Sequence, residues 1–418
     1  MSEPGVLTGI KSHLMSGPGV LAGIRVLDFT WVWAGPIIGR HLADYGAEVI
    51  TVENGDYLDL ARQLHCKDGV ADPDMAVAFT NYNAGKKSLT LNMAMPEAIG
   101  IVKRLVVMSD IVVESMTPRA MRKWGLSYEE LRRIKPDIIM LSTCMQGQTG
   151  PYCMSPGNGA ILPALSGISE LTGWPDRGPV GQGGPYTDFL AGAMGAAAVM
   201  TAPVHRQRTG AGQYIDMSQN ECAMHFITTA FLDYSANGRI ATRLGNQRPG
   251  FAPHGVYRCQ GDDAWCTIVV RTEPEWHALC EVMGHPAWTQ DGQFATGAAR
   301  EAHGAALDVH ITAWTSQLPA QEVMVRLQRA GVPAAVVHNA QTLDADPQLA
   351  HRQHYARLQH PRIGHNVIDN YGFRLSATPG RVEISSPMLG QHNAYVLGEL
   401  LGLSPADIAR LQESGVVA

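Results

Sequence analysis

The apolar positions of the chain begin as short continuous runs separated by helical periodicity. RVLDF (25–29) is a run of the kind a buried strand needs, and after the turn TWVWAGP the apolar positions from Pro36 through IIGRHLADYGA recur at helical spacing. EVITVE (48–53) is a second strand. Strand, helix and strand within about thirty residues form a βαβ unit, which implies a parallel sheet with a right-handed crossover. Pro36 suits a first helical turn and Gly46 a helix end. The alternation recurs as a helix at 96–108, a strand at 110–115, a helix at 127–134 and a strand at 137–143. It predicts an α/β fold, a doubly wound parallel-sheet domain.

From about 183 to 234 the pattern turns helical and rich in small residues, and RTGAGQYID reads as a helix end leading into an edge strand. The character then changes. Residues 245–270 read as a loop, a strand, a Gly-Asp turn and a second strand, followed by helices at 274–284, 301–316 and 319–331. This predicts a smaller α+β domain over 245–345. Residues 346–418, with HPRIG, SATPG and a helix at 392–403, are expected to return to the large domain, whose N-terminal part spans 23–234. Residues 1–22 are expected to be a poorly ordered leader, because MSEPGVLTGI (1–10) is nearly repeated by MSGPGVLAGI (15–24), making Met15 a second candidate start. No basic segment precedes an apolar core there, so no secretory signal is expected.

Composition narrows the classes. With 45% hydrophobic and 17% charged residues over 418, the chain reads as a soluble globular protein whose apolar runs are too short or too interrupted to span a bilayer. A net charge of −6 supplies no basic field for nucleic acid, so an anionic ligand must be met by local Lys and Arg. Seven cysteines without CxxC spacing suit a reducing compartment, and a cytoplasmic location is expected. No HExxH, Walker loop or GxSxG is present, and HRQH (351–354) lacks a third ligand, so no metal site is expected. A dinucleotide site fails at the first turn, where two indoles stand in place of the glycines that let backbone approach a pyrophosphate. Glu53 therefore reads as a cap or a surface acid.

One carboxylate needs a reason. Asp188, in QGGPYTDFLAG (182–192), lies between a glycine-rich turn and the small apolar run AGAMGAAAVMTA (191–202). Either Thr187 or Asp188 caps the following helix, or Asp188 is a nucleophile kept ionised by the helix N-terminus and made reactive by loss of water. The two roles are compatible.

The segments VLDFTWVWAGPIIGRHLADYGAEVITVE, NYNAGKKSLTLNM, DIVVESMTPRAMRKWGLSYEELRRIKPDIIMLS, QGQTGPY, PYTDFLAG, RTGAGQYID and PMLGQHNAYVLGELLGL carry a resemblance to the family III CoA-transferases. Formyl-CoA transferase and the carnitine CoA-transferase-like enzymes typify that family. The resemblance spans nearly the whole chain from residue 23. It implies a Rossmann-like large domain built from both chain ends, an inserted smaller domain, and an interlocked dimer of identical copies or of sister subunits. It also implies transfer of CoA from an acyl-CoA to a free carboxylic acid, succinyl-CoA being one expected donor, with no tightly bound cofactor. Asp188 matches the aspartate that forms the covalent intermediates; each tetrahedral oxyanion then needs backbone N–H donors, and Gly183 and Gly184, with Gly181, are the candidates to supply or cover that site. Trp31, Trp33, Arg62, Lys86, Lys87, Ser115, Lys123, Met145 and Gln146 match CoA-binding positions, and Arg248 in GNQRPGFAP is a candidate partner for the substrate carboxylate.

This chain departs from the pattern in three places. Formyl-CoA transferase has polar residues where Trp31 and Trp33 stand, which implies a more apolar or larger acyl pocket. Met145 and Gln146 replace a Gly and a Phe common among relatives, and the 245–253 loop is poorer in glycine than the mobile lid of formyl-CoA transferase. The α-methylacyl-CoA racemases of the same superfamily are the alternative. They need a His and an Asp as acid and base, and their GHDINY-like motif would fall at PGNGAI (156–161), where this chain has Asn158 and Gly159.

Overall fold

The computed structural model describes residues 19–417, so the expected leader lies outside the described residues as far as Pro18. Residues 19–22, which that expectation includes, instead form a turn against the body of the protein. Leu21 is buried and its N–H donates to the Tyr45 carbonyl at 2.9 Å. The chain divides into two compact units. One comprises the described residues up to Ile168, then Gly181–Thr229 and everything from His351; the other comprises Ser169–Val180 and Ala230–Ala350.

The first unit is built on a six-stranded, wholly parallel sheet. Its strands are β1 (Arg25–Phe29), β2 (Glu48–Glu53), β3 (Lys87–Thr90), β4 (Ile111–Glu114), β5 (Ile139–Cys144) and β6 (Tyr214–Ser218), in the order β3-β2-β1-β4-β5-β6. The central strands are apolar at nearly every position because both faces are covered. Leu27, Ile50, Val112 and Met140 meet the helices on one face, including Pro96–Val107, while Val26, Val49, Ile139 and Leu141 meet Ala34–Asp44 and Tyr186–Thr209 on the other.

The sequence pattern places β1, β2, β4 and β5 within two residues of their observed ends, and β6 is the edge strand expected after RTGAGQYID. It misses β3, whose four residues KSLT carry too little apolar signal. This edge strand is recognised from outside itself. Ser88 N–H donates to His392 Nδ1 at 3.2 Å and Thr90 N–H to Asn393 Oδ1 at 2.9 Å, so the returning chain covers an edge that would otherwise be open.

The helix Tyr186–Thr209 explains its own composition. A Cβ at Gly192 would stand 2.6 Å from Ile37 Cγ2, and one at Gly195 would stand 2.4 Å from Ile38 Cδ1. Small residues are there so that this helix can lie directly on Ala34–Asp44. It has the length and hydropathy of a membrane span, contrary to expectation, yet packs within this unit. Because it connects two parallel neighbours and runs straight into β6, it travels antiparallel to the strands. Its N-terminus therefore lies at the carboxyl edge of the sheet.

The second unit has its own antiparallel sheet of β7 (His254–Arg258), β8 (Trp265–Val269) and β9 (Ala334–Val336). Trp276, Leu279, Phe294, Ile311 and Leu327 are among its core residues, contributed largely by the helices Glu273–Val282, Gly304–Thr315 and Ala320–Arg329. An antiparallel hairpin that the sequence pattern did not reveal, β10 (Tyr355–His360) and β11 (Gly364–Asp369), belongs to the first unit.

Buried ion pairs hold the first unit, among them Arg40 with Asp44 at 3.2 Å. Asp28 and Lys86 are fully buried, with Lys86 Nζ 2.8 Å from Asp28 Oδ2 and 2.9 Å from Asn83 Oδ1; Thr30 N–H and Oγ1 donate to Asp28 Oδ1 at 2.8 and 2.5 Å. Arg62 grips Glu53 through Nε at 2.6 Å and Nη2 at 2.8 Å, and also reaches Asp74 at 3.1 Å. Glu53 is thus neither a cap nor a surface acid; Ser88 Oγ donates to it as well, at 2.5 Å. Removing one partner of such a pair leaves a desolvated charge. Lys86→Met is expected to lower unfolding stability by about 3–5 kcal/mol, measured by urea denaturation.

Candidate active site

The site begins at the carboxyl edge, where an open α/β sheet leaves a crevice at the point its strand order reverses. That point lies between β1 and β4. A cavity of about 490 Å³ opens there, lined by Phe29 at the end of β1, Trp31 after it, Val52 and Glu53 of β2, Met116 after β4, and Lys123. A second cavity of about 730 Å³ shares Trp31 and Tyr57 and extends along Leu60, Arg62 and Cys66.

Asp188 sits in the first turn of the Tyr186–Thr209 helix, at 6% exposure. It is not the cap. Pro185 holds that position without a side-chain bond, and the Thr187 hydroxyl donates instead to the Gly159 carbonyl at 3.3 Å. Burial pushes the Asp188 carboxyl up to about 7, and among the described residues no charge or hydrogen bond offsets that push. The free N–H groups of the first turn favour the ionised form, so the group is held between desolvation and the helix field. Its neighbour is backbone. A Cβ at Gly159 would lie 2.4 Å from Asp188 Oδ2, so the carboxylate occupies the space a side chain at 159 would need.

The turn after β1 brings Trp31 and Trp33 to different neighbours. Trp31 N–H donates to Ser115 Oγ at 3.0 Å, and its ring meets Tyr57 with centroids 5.4 Å apart. Trp33 meets Tyr82 edge to face at 4.7 Å, and Tyr82 in turn meets Phe189, beside Asp188, at 5.8 Å. Met145 lies against Gly157, where a Cβ would stand 2.6 Å from its Cε, so it shares the 157–159 segment with Asp188. Gln146 Oε1 accepts from Asn220 Nδ2 at 3.2 Å. Gly183 and Gly184 form an exposed turn before the helix, Gly183 at φ +77.

The basic candidates divide. Lys123 is exposed at the 490 Å³ cavity and makes no ion pair among the described residues. Lys86 is enclosed with Asp28 and lines neither cavity. Lys87 begins β3, at the amino edge, with Nζ 3.5 Å from Glu48 Oε1. The geometry therefore turns the pair KK inward and backward, because a parallel strand that starts at 87 carries it away from the carboxyl edge. Arg62 lines the larger cavity, but its guanidinium is engaged by Glu53 and Asp74 and lies 3.6 Å over the Phe79 ring. Arg248 belongs to the second unit, where it lies 5.0 Å over Phe251 and borders a cavity of about 90 Å³ with Glu301 and Asp308.

The sequence reading missed Tyr57, Tyr82 and Asp59. Asp59 carries a signal, an Asp opening the one-turn helix Leu60–Gln63 with its side chain accepting from Ala61 N–H. Tyr57 and Tyr82 carry none, since aromatic contacts between distant segments leave no local mark. No cluster of His, Cys, Asp and Glu able to hold a metal ion occurs among the described residues.

Comparison with known proteins fits this arrangement. The model of CoA-transferase family III matches residues 21–393. The chain is 37% identical to succinyl-CoA–D-citramalate CoA-transferase of Chloroflexus aurantiacus, over 96% of this chain and 98% of that one. It is 31% identical to the beta subunit of succinyl-CoA–L-malate CoA-transferase of the same organism, over 95% and 98%. Among solved structures, a CAIB/BAIF family protein from Brucella suis superposes with a TM-score of 0.84 at 30% identity, covering 92% of this chain and all of that one. A match of this extent to the family model, on a sheet whose carboxyl edge carries the helix-terminal aspartate, means that the chain belongs to the family III CoA-transferases.

Proposed function

We propose that this CoA-transferase moves CoA from succinyl-CoA to a short dicarboxylic acid, with Asp188 as the covalent carrier. The donor and the acceptor class follow the relatives, whose names carry succinyl-CoA together with citramalate or malate. The observation that carries the mechanism is the buried Asp188 carboxyl, raised by desolvation and, among the described residues, unpaired by any cation.

The steps balance without a metal. A carboxylate oxygen of Asp188 attacks the thioester carbonyl of the donor, the C–S bond breaks, and a mixed anhydride and CoA thiolate result. The thiolate then attacks the aspartyl carbonyl, releasing the donor acid and leaving an aspartyl-CoA thioester. The acceptor carboxylate attacks that thioester to give a second anhydride and thiolate. Attack of the thiolate on the acceptor carbonyl frees the new acyl-CoA and restores Asp188. Each tetrahedral oxyanion needs N–H donors, and the Gly183-Gly184 turn is the candidate source. Trp31, Trp33, Ser115, Lys123, Met145 and Gln146 are assigned to binding the acyl-CoA; the enclosed Lys86 and the amino-edge Lys87 support that assignment least. Arg248 remains the candidate partner for the acceptor carboxylate.

The racemase alternative loses support at Gly159. An acid and a base must face the Cα between them, and the position packed on Asp188 offers only backbone.

The family's inserted smaller domain and interlocked dimer, in a soluble cytoplasmic enzyme, complete the proposal. Phe231, Leu232, Tyr234 and Ile240, all of the second unit, are exposed by 56–76%, apolar surface that a partner subunit would cover. Sedimentation equilibrium of the purified chain is expected to give twice the chain mass. A monomer would instead favour dependence on a sister subunit.

Asp188→Ala is expected to lower CoA exchange between succinyl-CoA and a panel of dicarboxylic acids by at least about a thousandfold and to abolish hydroxylamine-trappable acyl-enzyme. Exchange that survives the substitution would overturn the role of Asp188. Because attack needs the ionised carboxylate, kcat/KM should fall about tenfold per pH unit below about 7 and level off above it.

Stability should respond in the opposite sense. A carboxyl whose folded value lies above its ordinary 3.8 disfavours folding increasingly from that pH to about 7. Asp188→Asn is therefore expected to melt at or above the parent at pH 8, the gap closing toward pH 4. A melting temperature lowered at every pH would mark a structural carboxylate.

A further inference from the structure

Val32, between the two indoles, has φ +70. A β-branched residue adopts the left-handed region only where its surroundings over-determine it, and such residues gather at functional sites. Here the surroundings are one carboxylate. Val32 N–H donates to both oxygens of Asp59, at 3.1 Å each, and Asp59 Oδ1 also accepts from Ala61 N–H at 2.9 Å. Asp59 is 5% exposed, so water does not compete for these bonds. The preceding N–H, of Trp31, is bound elsewhere, by Ser115 Oγ. Two consecutive amides are thus tied to segments far apart in sequence. The indoles flanking Val32 meet Tyr57 on one side and the Tyr82–Phe189 pair on the other.

We infer that Asp59 is a positioning residue for acyl transfer: by holding Val32 in its left-handed conformation it sets where Trp31 and Trp33 stand at the thioester end of the acyl-CoA. The inference rests on the proposed function, which assigns this turn to the acyl-CoA. Asp59 lines neither the 490 Å³ nor the 730 Å³ cavity, and it acts through the backbone of the turn. Other contacts hold parts of the same turn, since Trp33 packs against the small cluster of Ala61, Ala76 and Phe79, so the carboxylate's share must be separated from theirs.

The test is a cycle of Asp59→Asn, Val32→Gly and the double variant. The asparagine side chain keeps one oxygen for Ala61 N–H but turns its amide donors toward Val32 N–H. Glycine in place of Val32 takes a positive φ at no steric cost, so the turn then needs the clamp less. Asp59→Asn is expected to raise KM for succinyl-CoA about tenfold, with a smaller change for the free acid, and to speed amide exchange in 31–33. In the Val32→Gly background the same substitution should raise KM no more than about twofold relative to Val32→Gly alone. Equal effects in both backgrounds, or a lowered melting temperature with KM unchanged, would overturn the inference. A parent protein without CoA exchange would overturn the proposed function itself, whereas an active parent whose Asp59→Asn variant keeps its KM overturns this inference alone.

Discussion

A carboxyl group kept from water, with no cation beside it among the described residues, is the constraint on which the site depends. Desolvation alone raises Asp188 to about 7, and the fold tolerates this because the group stands in the first turn of a long helix, where free N–H groups favour negative charge. The surroundings follow from that placement. The helix must approach Ala34–Asp44 closely to bring its N-terminus over the sheet edge, which selects glycine at 192 and 195, and the segment facing the carboxylate must lack a side chain, which selects glycine at 159. Packing and reactivity are therefore set by the same geometry.

The charges that do find partners are structural. Asp28 with Lys86, and Glu53 with Arg62 and Asp74, hold the carboxyl halves of β1 and β2 against later parts of the chain. Each pair is largely or wholly enclosed and finished by hydroxyl, amide or carbonyl partners, the condition under which burying opposite charges is tolerable. Their effect is to tie the carboxyl halves of these strands to the rest of the unit, while Asp188 has no such partner among the described residues. A strained turn survives between them because Asp59 fixes it from a neighbouring segment.

The rings of Trp33, Tyr82 and Phe189 touch in series, linking the turn after β1 to the first turn of the helix that carries Asp188. Of the basic candidates, Lys123 is the one that is solvent-exposed at the 490 Å³ cavity.

The sequence by itself determined the parallel α/β framework, because continuous apolar runs alternating with helical periodicity admit few other folds, and it singled out Asp188, because a charge beside a run of small apolar residues is a local anomaly. It did not reveal β3 or the β10–β11 hairpin, whose polar residues are recruited by contacts across the chain. Nor did it separate Lys86 and Lys87 from Lys123. Charge is a property of the residue, whereas its partner depends on which strand end the residue reaches, and only the tertiary structure decided that Lys86 would close on Asp28 while Lys123 stayed at the cavity. The positive φ of Val32 was decided the same way, by a carboxylate twenty-seven residues away that no local pattern connects to it.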